Sequence, residues 1–273
     1  MAPERSLPIA VFDSGVGGLT VLHECLVSLP AEDFVYLGDT EQFPYGTKQR
    51  DWLQQRIAAV AELLLARGAK LLVIACNTAT SVGEGVARAV AEGHGVKVVP
   101  VVAPQAEIAA AITDSGRVGV LATPNTVESG SYRRALEAQG RALEVTEVEA
   151  PDLAPFIQNG SPFDDGVIEM ARAYCAPLKS ADVDTLILGC THYPLVAPML
   201  QRILGRDVRL VSGGHAVAAA VQRTLAREGI ETGAEGEGSY RFLCSGDPES
   251  FRALGTRFLQ MPLGDVEHVG VPG

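Results

Sequence analysis

Short, largely apolar runs recur along this chain, and amphipathic stretches with apolar residues at helical spacing fill the gaps between them. The runs are Ile9–Phe12, Phe34–Leu37, Leu71–Ala75, Val98–Val102, Val118–Ala122, Leu143–Val148, Thr185–Gly189, Val208–Val211 and Tyr240–Cys244. Strands that are apolar throughout, instead of alternating with polar residues, are those covered on both faces, as in parallel sheets. After Asp51, residues Leu53, Ile57, Val60, Ala61 and Leu64 lie on one helical face, and Gly68 closes that segment. The alternation predicts an α/β fold with mostly parallel sheets flanked by helices.

The two halves echo each other. Ile9-Ala10-Val11-Phe12-Asp13-Ser14 has a counterpart in Val118-Gly119-Val120-Leu121-Ala122-Thr123, 109 positions later. Two further runs, ending in Ala75-Cys76-Asn77-Thr78 and Gly189-Cys190-Thr191-His192, repeat at an offset of 114. Similar offsets for consecutive features read as two pseudo-symmetric three-layer α/β domains with a site in the cleft between them. A boundary falls near Pro100–Pro104, and the chain crosses back near Val211–Gly214. This makes 1–100 plus 212–273 one discontinuous domain and 101–211 the other. Val269–Gly273 reads as a tail.

With 273 residues, 47% hydrophobic and 20% charged, the chain has enough sequence to bury a sizeable core. A net charge of −11 without a basic stripe argues against nucleic acid as a required partner. No run approaches the roughly 18 apolar residues of a membrane span, and no basic-then-apolar start reads as a signal peptide. Five cysteines without a CxxC pair fit free thiols in a reducing compartment, so the expected location is cytoplasmic.

The chemistry concentrates in four strand-end loops. Cys76 and Cys190 each leave a buried strand into a hydroxyl-rich turn, where open α/β sheets place their reactive groups. Amides at the following helix starts are expected to lower the thiol pKa and to hold carboxylates. Two opposed thiols can take a proton from one face of a carbon and return one to the other. Cys25 and Cys175 lie in helical patterns and read as small buried hydrophobes, as does Cys244.

Asp13-Ser14-Gly15-Val16-Gly17-Gly18 misses the spacing of a dinucleotide fingerprint, and a tight strand-to-helix turn explains its glycines but not its ionisable Asp13. Asp13 can orient a thiol or meet an ammonium. Gly38–Gly46 is a loop in which Tyr45 and the Gly46 amide either touch ligand or simply pack. His192, two positions from Cys190, is placed to tune that thiol. Metal-ligand spacing around Cys190 and His192 is absent. Only four lysines occur, none in an active-site motif, which weighs against a pyridoxal Schiff base.

Taken together, the chain resembles cofactor-independent glutamate racemase along nearly its whole length. The resemblance is carried by Phe12–Gly18, Leu37–Asp39, Phe43–Gly46, Ala75–Thr80, Gly189–Leu195 and Ser245-Gly246-Asp247-Pro248-Glu249. His192-Tyr193-Pro194 after the second cysteine favours glutamate racemase over the related aspartate racemases. The resemblance implies Cys76 and Cys190 as the acid/base thiols, the first deprotonating D-glutamate and the second L-glutamate. It implies Asp13 with Ser14, Tyr45 with Gly46, Asn77 with Thr78, and Thr191 with His192 as substrate-binding pairs. It further implies two α/β domains, no cofactor, assembly as a homodimer, and supply of D-glutamate for peptidoglycan.

Two positions depart from that family's pattern. Gln158 stands where the family has a glutamate that supports the histidine beside the second cysteine, and Ser212 stands where it commonly has an aspartate.

The expected mechanism is a two-base transfer in which helix N-termini and His192 favour a single thiolate and Asp13 orients Cys76. A free thiol, with a pKa near 8.5, is only a few per cent ionised at neutral pH. The rivals are a non-catalytic amino-acid-binding module, an aspartate racemase and a thiol redox protein.

Overall fold

The computed structural model describes residues 4–159 and 165–272. In chain order the elements begin β1 (Ile9–Asp13), α1 (Leu19–Ser28), β2 (Phe34–Gly38), α2 (Arg50–Ala66), β3 (Leu71–Ile74), α3 (Asn77–Gly93) and β4 (Lys97–Pro100). There follow α4 (Val102–Ile112), β5 (Arg117–Ala122), α5 (Pro124–Glu128), α6 (Ser131–Glu137), β6 (Glu144–Glu149), α7 (Leu153–Asn159), α8 (Asp165–Ser180) and β7 (Thr185–Gly189). The chain ends with α9 (Ala197–Leu204), β8 (Arg209–Val211), α10 (Gly213–Glu228), β9 (Tyr240–Cys244), α11 (Pro248–Leu259) and β10 (Val266–His268).

These strands make two parallel sheets, one ordered β10-β9-β2-β1-β3-β4 and the other β6-β5-β7-β8. The sequence echo is thus a topological one. β2-β1-β3-β4 and β6-β5-β7-β8 have the same order, with β1 and β5 in equivalent central positions. In such sheets the order reverses beside the central strand, and loops at the carboxyl ends there splay apart into a crevice. Cys76 follows β3 and Cys190 follows β7, so each thiol emerges beside the switch point of its own sheet.

Burial explains why the apolar runs form strands. In β1, Ile9 and Val11 enter one core while Ala10 and Phe12 enter the other, so successive side chains bury on opposite faces. The first of these cores continues through Val101, Val102 and Ala106 into Val118, Leu121 and Leu186, so packed apolar contact joins the two sheets. On α2, the expected face of Leu53, Ile57, Val60, Ala61 and Leu64 is fully buried. Cys25, Cys175 and Cys244 are buried free thiols, as small hydrophobes should be.

Two expectations at segment ends need correction. Val101 and Val102 do not extend β4; Val101 precedes α4 and Val102 opens it, although both are buried. The carboxyl-terminal residues are not a loose tail either. β10 pairs with β9, Val269 and Val271 are buried, and the Val271 carbonyl accepts a bond from Arg56 Nη1 at 2.9 Å. Gly273 lies outside the described residues. Among the described residues no helix is long and apolar enough to cross a membrane.

Candidate active site

The end of β1 carries a buried carboxyl. Asp13 is fully buried; its Oδ1 accepts the Gly15 amide at 2.9 Å and its Oδ2 accepts the Thr191 hydroxyl at 3.1 Å. Burial pushes the carboxyl up to about 6, against the pull of those donors. The Cys76 thiol is among the groups in hydrogen-bonding contact with it. Tyr36 bonds the Gly15 carbonyl from below at 2.8 Å, which fixes the turn.

Gly17 has a steric reason. A β-carbon there would overlap Thr191 Oγ1 and the His192 ring. The glycine therefore lets the β1–α1 turn press directly on the loop that carries the second thiol.

Cys76 caps α3. Its sulfur accepts the Ala79 amide at 3.3 Å and lies 3.7 Å from Ser14 Oγ. Cys190 differs, because a 3-10 turn over Tyr193–Val196 follows it in place of an α-helix start. Amides of His192 and Tyr193 point at its sulfur. These donors do pull the thiols toward ionisation, but burial outweighs them. Cys76 is pushed up to about 12, and Cys190 rises as well. The expectation of a pre-lowered thiol is thus corrected: the protein's own groups leave both sulfurs holding their protons.

His192 is neutral for the same reason. Burial against Phe43 and Phe258, with ring centroids 5.2 and 5.0 Å away, brings its pKa down to about 3. Its Nε2 donates to Gln158 Oε1 at 2.9 Å, which leaves Nδ1 as the acceptor facing Cys190 Sγ at 3.9 Å. The glutamine at 158 thus supports the ring by hydrogen bonding without adding a charge.

One cavity of about 20 Å³ is lined by Ser14, Tyr45, Gly46, Cys76, Asn77, Thr78, Cys190, Thr191 and His192, with Phe43, Pro44, Thr123 and Ala154 completing the wall. That is room for about one water molecule, so an amino acid enters only when the walls part. Both thiols, from different sheets, open into it. Asp13 stands behind this wall and acts through Thr191 and Cys76. Tyr45 is buried, and its hydroxyl is spent on Asp39, which is held in turn by Arg56 and Ser245. Tyr45 therefore offers the cavity its ring and backbone, not its hydroxyl.

Sequence reasoning passed over Thr123, which bonds Thr78 Oγ1 at 2.9 Å, although the internal echo pairs it with Ser14. Gln105 and Tyr132, which bond Asn77, carried no local signal.

A profile of the Asp/Glu/hydantoin racemases matches residues 21–221. The chain belongs to that family. Its enzyme class is accordingly amino-acid racemase, an isomerase. A glutamate racemase of Acidothermus cellulolyticus is 42% identical, over 96% of this chain and 98% of the relative. The crystal structure of glutamate racemase isoform RacE1 from Bacillus anthracis superposes with a TM-score of 0.92 at 34% identity, covering 97% of this chain and 98% of that one. Glutamate racemase from Francisella tularensis in complex with D-glutamate gives a TM-score of 0.91 at 30% identity, covering 98% of both chains. The resemblance read from the motifs is borne out at the level of family and fold.

Proposed function

We propose that this racemase interconverts L- and D-glutamate without a cofactor, using Cys76 and Cys190 as the two proton-transfer groups. The observation that carries the reading is the opening of both thiols, each from the switch point of its own sheet, into one cavity. Near-full-length similarity to proteins named glutamate racemase supports the substrate.

In this reading the substrate ammonium supplies a positive charge that the side chains around the two thiols do not. An ammonium entering the cavity as its walls part, with the Asp13 carboxylate behind the wall, favours the anionic state of a neighbouring thiol, because opposite charges attract strongly in a water-poor cavity. One sulfur, as thiolate, takes the Cα proton, and the opposite thiol gives its proton to the other face. The electron pair left on Cα by the first transfer makes the new C–H bond. Each turnover exchanges the roles of the two sulfurs. Amides and hydroxyls fixed in the strand-end loops stabilise the developing charge on the α-carboxylate, the type of contribution that is usually largest in catalysis. Neutral His192 Nδ1 orients the Cys190 S–H.

The reading extends to division of the chain into 1–100 plus 212–273 and 101–211, with the cavity between. It also includes homodimer assembly, a cytoplasmic location and supply of D-glutamate to peptidoglycan. Purified protein with L-glutamate and no additive, followed by circular dichroism in deuterated water, tests the chemistry. The expected result is loss of optical activity with deuterium at Cα of the product. Unchanged optical activity with bound glutamate overturns it.

A further inference from the structure

We infer that Gln105 is a positioning residue for proton transfer, a buried clamp that ties the loop of one thiol to the strand of the other. This inference rests on the two-thiol reading above. Gln105 sits in the first turns of α4, fully buried and outside the cavity wall. Its Oε1 accepts from Asn77 Nδ2 at 2.9 Å and from the Tyr132 hydroxyl at 2.5 Å. Its Nε2 donates to the carbonyls of Leu188 at 3.2 Å and Val211 at 3.3 Å.

Those four bonds use both lone pairs and both protons of the amide. The orientation is therefore unique: turned over, the NH2 would meet the Asn77 NH2, and the oxygen would meet two carbonyls. The partners are what give the clamp its meaning. Asn77 directly follows Cys76, Leu188 precedes Cys190 by two residues, and Val211 ends β8. One side chain thus spans both sulfur-bearing segments. Tyr132 closes the ring, since its hydroxyl accepts from Asn77 Nδ2 at 2.6 Å while donating to Gln105. Burial raises the Tyr132 hydroxyl pKa, so it stays a donor across the working pH range.

A ring without spare donors or acceptors is rigid only while complete. Loss of one member frees Asn77, and with it the backbone that places Cys76 opposite Cys190. Small misplacements of this kind cost up to about 100-fold in rate.

The test compares wild type, Gln105→Leu and Tyr132→Phe by kcat and KM in both directions, with folded sites counted by circular dichroism and thiol titration. The expected result for Gln105→Leu is a kcat per folded site lowered about 10- to 100-fold, with KM changed less than about threefold. Tyr132→Phe, which removes one oxygen, is expected to lower kcat severalfold in the same pattern and decides the question if the leucine variant does not fold. A purely structural role would lower the melting temperature and leave kcat per folded site at the wild-type value, which overturns the inference. Wild type without racemase activity would overturn the parent reading instead, so the two failures are distinguishable.

Discussion

Asp13 and Thr191 meet across the crevice, the threonine hydroxyl donating to Asp13 Oδ2 at 3.1 Å, and the carboxyl at the end of β1 is thereby tied to the loop that carries Cys190. Asp13 has its pKa raised by burial from 3.8 to about 6, so its charge is held at a cost. The unfolded chain ionises this group near 3.8, and the folded chain near 6. Between those values the folded state binds more protons, and stability falls as pH rises through the window. The ionised group costs about 3 kcal/mol above it.

Asp13→Asn keeps an acceptor for the Gly15 amide and removes that charge. The variant is expected to lose about 100-fold or more in kcat while melting no lower than wild type at pH 7.5. A melting temperature several degrees below wild type would show that the charge is not a cost. In the wild type, kcat/KM is expected to rise as pH passes through about 6.

Cys76→Ser and Cys190→Ser are each expected to lower racemisation by about 10³-fold or more with the fold intact, because a serine hydroxyl is a far weaker acid than a thiol. Substantial activity in either variant would remove that sulfur from the mechanism. Progress curves started from each enantiomer provide the measurement.

Thiol reactivity should report the raised pKa values. Alkylation of Cys76 by iodoacetamide in unliganded enzyme, followed by mass spectrometry, is expected to accelerate steadily with pH from 7 to 10, since its pKa of about 12 lies above that range. A plateau near pH 8 would mean that the thiolate is already formed in the empty site.

Gln158→Glu would place a carboxylate against His192 Nε2, where the amide oxygen now sits at 2.9 Å. A neighbouring negative charge favours the imidazolium, so the His192 pKa should climb from about 3 toward the usual histidine range. The ring C–H resonances of His192, titrated by NMR, check this; an unmoved titration would place the control elsewhere.

Arg56 and Asp39 form a buried pair, bonded Nε to Oδ2 at 2.8 Å and Nη2 to Oδ1 at 2.6 Å. Arg56→Met leaves that carboxylate without its cation and is expected to cost about 3–5 kcal/mol, measured by urea unfolding. Loss of less than 1 kcal/mol would show that solvent reaches the pair.

The central strands were legible because burial on both faces writes itself as uninterrupted apolar sequence, as in Ile9–Phe12 and Leu71–Ile74, whereas β6 alternates and is half exposed; the thiol loops were legible because polar residues break the runs abruptly. β10 was not, since Val266-Glu267-His268 is short, partly exposed and lies at the sheet edge. The thiol pKa direction was also misread. Sequence reveals the amides at a helix start, as for Cys76 and Ala79, but not how completely other segments bury the sulfur. Gln105 was invisible for a related reason: its partners lie 27 to 106 positions away, so nothing in its own neighbourhood marks it.

The carboxyl-terminal residues have a practical side. Val271 binds Arg56, Arg56 binds Asp39, and Asp39 holds Tyr45 in the cavity wall. Trimming the last few residues, or fusing an affinity handle there, therefore reaches the wall of the cavity shared by the two thiols through three bonds. Handles for purification and surface immobilisation are better placed at the other end of the polypeptide.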